Sequence, residues 1–283
     1  MKFNTKCVHG SGRPDSTGAI SPAIYMSSTF SHPKLGDTTG YQYTRESNPT
    51  RDRLEQLIAG LEDGTDALAF SSGMAAVDAV FHLFSPGDHI ILGDDLYGGS
   101  IRMFTNIYEQ NGIEFTYVGT SDLDAVKAAF KPNTKAVYIE TPTNPMMEIT
   151  DIRALCTLAH ERNALVIIDN TFLSPYFQKP LTLGADIVVH SGTKFIGGHH
   201  DVISGFTIVK DDELAAKLRL TYKTVGACLS AMDSWLVIRG VKTLALRMEQ
   251  HQKNAIALAE WIKKQPKVTK VIFPGLPEHP GYE

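Results

Sequence analysis

At roughly 150 residues per domain, a chain of 283 residues holds one large domain or two ordinary ones, which excludes a peptide module or a mostly disordered tail. Apolar residues make up 43% and charged residues 20%, enough for a sizeable core and low enough in charge to leave surface for subunit contacts. With 27 lysines and arginines against 31 aspartates and glutamates, the formal charge of -4 is too balanced for the broad basic face that nucleic acid requires, so no nucleic-acid partner is expected.

Residues 1–50 are rich in Gly, Ser, Thr and Pro and lack periodicity, which predicts an extended N-terminal arm too polar to fold by itself. A helical pattern opens at Thr50 and runs through Ile58. To about residue 210 the chain alternates short β-branched runs with helical stretches. Strands are expected at Ala67–Phe70, His89–Leu92, Glu114–Val118, Ala136–Ile139, Leu165–Ile168, Ile187–Val189 and Gly205–Val209. Between them, Gly73–Leu83, Leu123–Phe130 and Ile152–Arg162 read as helices. Such alternation means βαβ units with right-handed crossovers, hence an α/β fold with a mostly parallel sheet sandwiched by helices. Ligands then bind at the carboxyl ends of the strands. Beyond residue 210 come long helices, Asp212–Thr224 and roughly Ala231–Lys264, then a strand-like run Val268–Phe273 and loop chemistry from 274 to 283. The expected division is an arm (1–50), an α/β ligand-binding domain (51–230), and a linking helix with the start of an incomplete C-terminal domain (231–283).

Cys7, Cys156 and Cys228 lie far apart with no Cys-x-x-Cys pair, so neither a disulfide framework nor a zinc cluster is expected, and a reducing cytoplasm fits best. The start carries no apolar signal core, and apolar runs such as Ala164–Ile168 are strand-sized, so no membrane association is expected. His199-His200-Asp201 has no third ligand at a usable spacing, and no metal site is assigned.

Neither a P-loop nor a Gly-x-Gly-x-x-Gly fingerprint is present. Ser71-Ser72-Gly73-Met74-Ala75-Ala76 follows a strand and opens a helix, where free N–H groups can hold a phosphate or merely cap the helix. Asp186 to Lys194 is more specific: a buried strand delivers Ser191, Thr193 and Lys194 to its carboxyl end. A lysine there is expected to be partly desolvated, which favours the neutral amine that forms a Schiff base. Two hydroxyls for a phosphate beside an amine for an aldehyde are the anchors that pyridoxal phosphate needs. One strand earlier, Asp169 ends an apolar run, where burial without a cation is costly. A protonated pyridine nitrogen would supply that cation, although alone Asp169 also suits an N-cap or a metal. Tyr97, after the strand His89–Leu92, can stack on the ring and move protons. In the arm, Tyr43 and Arg45 pair a phenol with a guanidinium suited to phosphate, in this subunit's site or a neighbour's.

Six segments in order, Tyr-x-Tyr-Thr-Arg-x-x-Asn-Pro-Thr-Arg (41–51), Ser-Ser-Gly-Met-Ala-Ala (71–76), Asp-x-Tyr-Gly-Gly (95–99), Glu-Thr-Pro-Thr-Asn-Pro (140–145), Asp-Asn-Thr-Phe (169–172) and His-Ser-Gly-Thr-Lys (190–194), carry a likeness across essentially the whole chain. Together they resemble the Cys/Met-metabolism pyridoxal-phosphate enzymes, which include cystathionine γ-lyase, cystathionine β-lyase, cystathionine γ-synthase, methionine γ-lyase and homoserine-ester sulfhydrylases. The resemblance implies the type I transferase fold of the aspartate-aminotransferase kind, with 51–230 as the cofactor domain. It also implies that Lys194 joins the cofactor's aldehyde and shuttles protons, that Asp169 holds the pyridine nitrogen, and that Tyr97 stacks on the ring. Gly73, Met74, Ser191 and Thr193 would hold the phosphate, joined by Tyr43 and Arg45 from the other subunit of a dimer, and Asn144 would contact the cofactor's ring oxygen or the substrate. Two such dimers would form a homotetramer.

The implied reaction is β- or γ-elimination, a carbon–sulfur lyase acting on cystathionine, cysteine or a related sulfur amino acid in trans-sulfuration. The alternative is γ-replacement by a synthase of the cystathionine γ-synthase or O-acetylhomoserine sulfhydrylase type. A third reading keeps the sheet as a non-catalytic assembly subunit. The family's substrate-carboxylate arginine lies in a C-terminal segment this sequence does not reach, Gly99 stands where methionine γ-lyases usually have cysteine, Gln42 where cystathionine γ-lyases often have glutamate, and Glu148 where a basic residue is frequent.

Overall fold

A computed structural model describes residues 1–12 and 16–282; residues 13–15 of the arm and Glu283 of the terminal loop lie outside the described residues. The strands are β1 Asp66–Phe70, β2 His89–Gly93, β3 Glu114–Val118, β4 Thr134–Glu140, β5 Leu165–Asp169, β6 Ile187–Ser191 and β7 Gly205–Val209. The helices are α1 Phe3–His9, α2 Pro49–Glu62, α3 Gly73–Phe81, α4 Gly98–Met103, α5 Leu123–Ala129, α6 Ile152–His160, α7 Ser174–Phe177, α8 Pro180–Leu183, α9 Asp212–Val225, α10 Ala231–Val241 and α11 Leu244–Ile262.

All seven expected strands between residues 66 and 209 form one sheet, in the order β1-β7-β6-β5-β4-β2-β3. Neighbours pair in parallel except at β7, which runs antiparallel to both β6 and β1. Residues 192–204, between β6 and β7, contain no helix, and without a helical crossover the chain simply turns back beside β6. The sheet is therefore mostly parallel and helix-covered, as the alternating pattern required.

Successive side chains of a strand point to opposite faces, and the core divides accordingly. Leu68, Phe70, Ile90, Leu92, Tyr138, Ile167 and Val189 pack with α3, α4 and α9 on one face. Ala67, Ala69, Val188 and Ile208 pack with α2 and α10 on the other, and Val137, Ile139, Val166 and Ile168 with α6. Helix starts follow their caps: the Asn48 side chain accepts from Thr50 N ahead of Pro49, and Asp211 accepts from Leu214 N.

Several expectations are corrected. The arm is not wholly extended, because Phe3–His9 is helical, buries Cys7 against α2 and α11, and is tied down by Lys6 to Asp63 at 2.7 Å. The long helix predicted from Ala231 breaks at Lys242–Thr243. There the Gly240 carbonyl accepts from Thr243 N and from the Arg247 guanidinium instead of continuing the helical ladder. Val268–Phe273 is not a strand; no described strand pairs with it, and Ile272 is exposed. The helix α4, continued by a π-helical turn Phe104–Tyr108, adds to the expected elements, since Gly98-Gly99 reads as loop. No described helix is long and apolar enough to cross a membrane.

Candidate active site at the carboxyl edge of the sheet

The alternation that builds the core sends the last residues of three adjacent parallel strands to one face: Glu140 after Tyr138, Asp169 after Ile167 and Ser191 after Val189. Glu140 is paired in register with Asp169, and Asp169 with Val189. The edge thus gathers two carboxyls, a hydroxyl and, three residues on, Lys194.

The N-terminus of α3 closes against this edge. Ser72 Oγ accepts from Ala75 N at 3.1 Å, leaving the first-turn N–H groups of Gly73 and Met74 without intrahelical acceptors and available to an anion. Gly73 lets the helix approach: a Cβ there would stand 2.8 Å from Ser191 Cβ and 3.0 Å from its Oγ. A Cβ on Gly205 would likewise stand 2.1 Å from Ser72 O, so the helix start is held between β6 and β7.

After Ser191 a turn carries Lys194 to the rim, with Lys194 N donating to Ser191 O at 3.2 Å and Gly198 N to Lys194 O at 2.9 Å. Arg247 braces the turn by donating to Phe195 O at 2.7 Å. Lys194 is exposed, and its Nζ has no partner among the described residues. The partial desolvation expected of it is therefore not met, because the turn lifts it off the buried strand. Thr193 faces inward: its hydroxyl donates to Ser204 O at 3.2 Å and accepts from Ser204 N at 3.1 Å. Ser191 keeps its hydroxyl towards α3, while its N–H donates to Thr171 Oγ1 at 2.7 Å.

Asp169 is buried. Its Oδ1 accepts from Thr171 N at 3.0 Å and its Oδ2 faces Tyr138 Oη at 3.4 Å, with no cation bonded to either oxygen. Burial pushes its carboxyl up from the ordinary range. Glu140 is pushed up to about 8, first by burial and then by Asp169 beside it. Glu140 Oε2 accepts from Tyr97 N at 3.2 Å, fixing the backbone of Tyr97, whose half-exposed ring lies against Gly99. Asp95 Oδ2 accepts from Met146 N at 3.0 Å and so joins the Tyr97 loop to the Asn144 loop. Asn144 itself is exposed and makes no side-chain hydrogen bond among the described residues.

Tyr43 and Arg45 stand apart from this cluster. The Arg45 guanidinium lies 5.3 Å from the Tyr43 ring centroid and donates to Lys223 O at the end of α9. Neither touches Gly73, Ser191 or Lys194 within the chain.

Three contributors went unassigned from sequence: Glu140, Thr171 and Tyr138. Glu140 carried the same signal as Asp169, a carboxylate ending an apolar run, here Ala136–Ile139. Thr171 lies two residues beyond Asp169 inside the Asp-Asn-Thr-Phe segment, so its signal is local, whereas Tyr138 has none, since only the pairing of β4 with β5 brings it to Asp169.

The edge matches the demands of pyridoxal phosphate. Asp169 is a buried carboxylate lacking a cation, which a protonated ring nitrogen provides, and a helix N-terminus beside a free serine hydroxyl suits a phosphate. An unengaged amine at the rim suits an aldehyde.

Comparison with known proteins gives a consistent picture. A family model described as Cys/Met metabolism PLP-dependent enzyme matches residues 4–283. Cystathionine gamma-lyase of Bacillus subtilis (strain 168) is 49% identical over 284 residues, covering 100% of this chain and 75% of that protein. Cystathionine beta-lyase of Lactococcus lactis subsp. cremoris (strain MG1363) is 49% identical, covering 99% and 74%, and relatives named cystathionine gamma-synthase reach 46%. The crystal structure of cystathionine gamma-lyase from Lactobacillus plantarum complexed with L-serine superposes with a TM-score of 0.97 at 50% identity, covering 100% of this chain and 74% of that one.

Proposed function

Because the chain belongs to the Cys/Met-metabolism family of pyridoxal-phosphate-dependent enzymes, we propose that it is a carbon–sulfur lyase that eliminates the β- or γ-substituent of cystathionine, cysteine or a related sulfur amino acid. The cofactor is pyridoxal 5'-phosphate, and the observation that carries the site assignment is the buried, cation-free Asp169 one strand from Lys194.

In this reading Asp169 holds the ring nitrogen, the N–H groups of Gly73 and Met74 with the Ser191 hydroxyl hold the phosphate, and Lys194 Nζ bonds the aldehyde carbon. Thr193 supports the phosphate end chiefly by fixing the turn through Ser204. Asn144 contacts the ring oxygen or the substrate, and Tyr43 and Arg45 reach the phosphate of a neighbouring subunit. Bound cofactor supplies an electron sink for the carbanion left when an amino acid loses its α-proton. With the cofactor bound, the Lys194 amine would be the base placed to take that α-proton. Tyr97, its backbone held by Glu140, would stack on the ring and would move a proton at its phenol oxygen.

The same reading assigns 1–50 as an arm, 51–230 as the cofactor domain and 231–283 as a linking helix with the start of a C-terminal domain, in a cytoplasmic homodimer with shared sites that pairs into a tetramer. Borohydride reduction of the reconstituted protein, followed by peptide mapping, is expected to fix the cofactor on Lys194. Keto-acid release from cystathionine or cysteine is expected alongside. Thiol-dependent consumption of acetyl- or succinyl-homoserine, with no keto acid from cystathionine, would replace the lyase with a γ-replacement synthase.

A further inference from the structure

Glu62, the last residue of α2, takes no part in the site above, yet it is fully buried beneath the sheet. Its Oε1 lies 2.6 Å from His190 Nε2 and accepts from Asn170 Nδ2 at 2.8 Å. Asn170 Nδ2 also donates to Gln178 O at 2.9 Å, while Gln178 Nε2 donates to Asn170 Oδ1 and to Thr141 O, each at 3.0 Å. The network therefore touches the tips of β4, β5 and β6 at the residues next to Glu140, Asp169 and Ser191. Because strand side chains alternate, His190 points away from the site face, on the side where Val188 packs with α2.

Core packing alone does not call for this arrangement. A buried carboxylate is costly to hold, Glu62 Oε2 and His190 Nδ1 have no hydrogen-bond partner among the described residues, and apolar residues of the same volume would often be as stable. What the polar network adds is directional contact among three strand tips that otherwise share only ladder bonds.

We propose that Glu62 is a positioning residue for the cofactor site: through His190 and Asn170 it clamps the tips of β5 and β6 from behind, fixing the Asp169 carboxylate relative to the turn that carries Lys194. The proposal rests on the reading of Asp169 and Lys194 as cofactor-binding residues. Loss of the clamp leaves the first contacts with the cofactor intact in kind and loosens their spacing.

The test uses the full chain as wild type, Glu62→Leu, Glu62→Gln and Gln178→Ala. Pyridoxal phosphate is titrated into each cofactor-free protein, and the affinity and the pH midpoint of the bound cofactor's absorption change are read beside the melting temperature. Glu62→Leu is expected to weaken cofactor binding on the order of tenfold and to displace the spectral midpoint, with Gln178→Ala weaker by about threefold. Glu62→Gln, whose amide oxygen can accept both bonds, is expected to restore binding to within about threefold of wild type. If Glu62→Leu does not fold, Asn170→Ala, which removes the Glu62–Asn170 bond, takes its place in the titration and decides. Wild-type affinity and midpoint in the folded variants, even at a lowered melting temperature, would overturn the clamp and leave Glu62 a stability residue. Failure of borohydride to fix cofactor on Lys194 in the wild type would instead overturn the site assignment, and the clamp with it.

Discussion

Replacing Gly73 with alanine sets a methyl carbon 2.8 Å from Ser191 Cβ and 3.0 Å from both Ser191 Cα and Oγ. Ordinary contact between such atoms begins near 3.5 Å, so α3 must withdraw from the tip of β6 by several tenths of an ångström. Ser191 cannot swing clear, because its Cα is among the crowded atoms and its N–H is committed to Thr171. Overpacking of this kind costs about 1–3 kcal/mol. Helix propensity acts the other way, favouring alanine over glycine by up to about 1 kcal/mol, so the sign of the outcome separates the two causes. We expect Gly73→Ala to lower the unfolding free energy of the cofactor-free protein in urea. We also expect it to weaken pyridoxal phosphate binding by fivefold or more, about 1 kcal/mol, since the displaced N–H groups no longer converge with the Ser191 hydroxyl. Equal or higher stability together with wild-type cofactor affinity would refute the claim that close approach of α3 to β6 builds the phosphate end.

Gly60 supplies the opposite case, because a Cβ there meets nothing within 4 Å inside α2; Gly60→Ala is expected to stabilise by about 0.5–1 kcal/mol, read as a raised melting temperature. Lys194→Ala should abolish keto-acid release while the far-ultraviolet circular dichroism stays that of wild type, since Lys194 is exposed and its side chain makes no hydrogen bond or ion pair among the described residues; residual turnover near wild type would remove it from the chemistry. Glu140, pushed up to about 8 from an ordinary 4.5, keeps a proton in the folded cofactor-free protein that the unfolded chain has already released. Between those values the native state binds more protons than the unfolded one, so stability falls as pH rises through this window. Glu140→Gln stays neutral and should flatten the fall measured by urea unfolding at about pH 5 and pH 8; an unchanged slope would show that Glu140 ionises normally.

Most of the sheet could be read from the chain because burial on both faces leaves uninterrupted β-branched runs, and Ile187-Val188-Val189 or Val166-Ile167-Ile168 permit little else. Asp169 was legible for the same reason: a carboxylate ending such a run stands out. Legibility failed where the deciding partner is distant in sequence. Val268–Phe273 has strand composition, but a strand exists only with a neighbour to pair with. The stop at Lys242–Thr243 depends on Arg247 reaching back to the Gly240 carbonyl, a contact no local propensity encodes. The two carboxyls of the site make the point most sharply, since Glu140 and Asp169 end similar strands and only one was singled out. What distinguishes them is register: pairing β4 with β5 sets Glu140 beside Asp169, so burial raises both carboxyls and the Asp169 carboxylate raises Glu140 further. A carboxyl that keeps its proton at neutral pH can sit beside the Asp169 carboxylate without adding a second buried negative charge. Glu140 Oε2 still accepts the Tyr97 N–H, so in the proposed site the neutral partner would orient Tyr97 while the charged one would be left to the cofactor nitrogen.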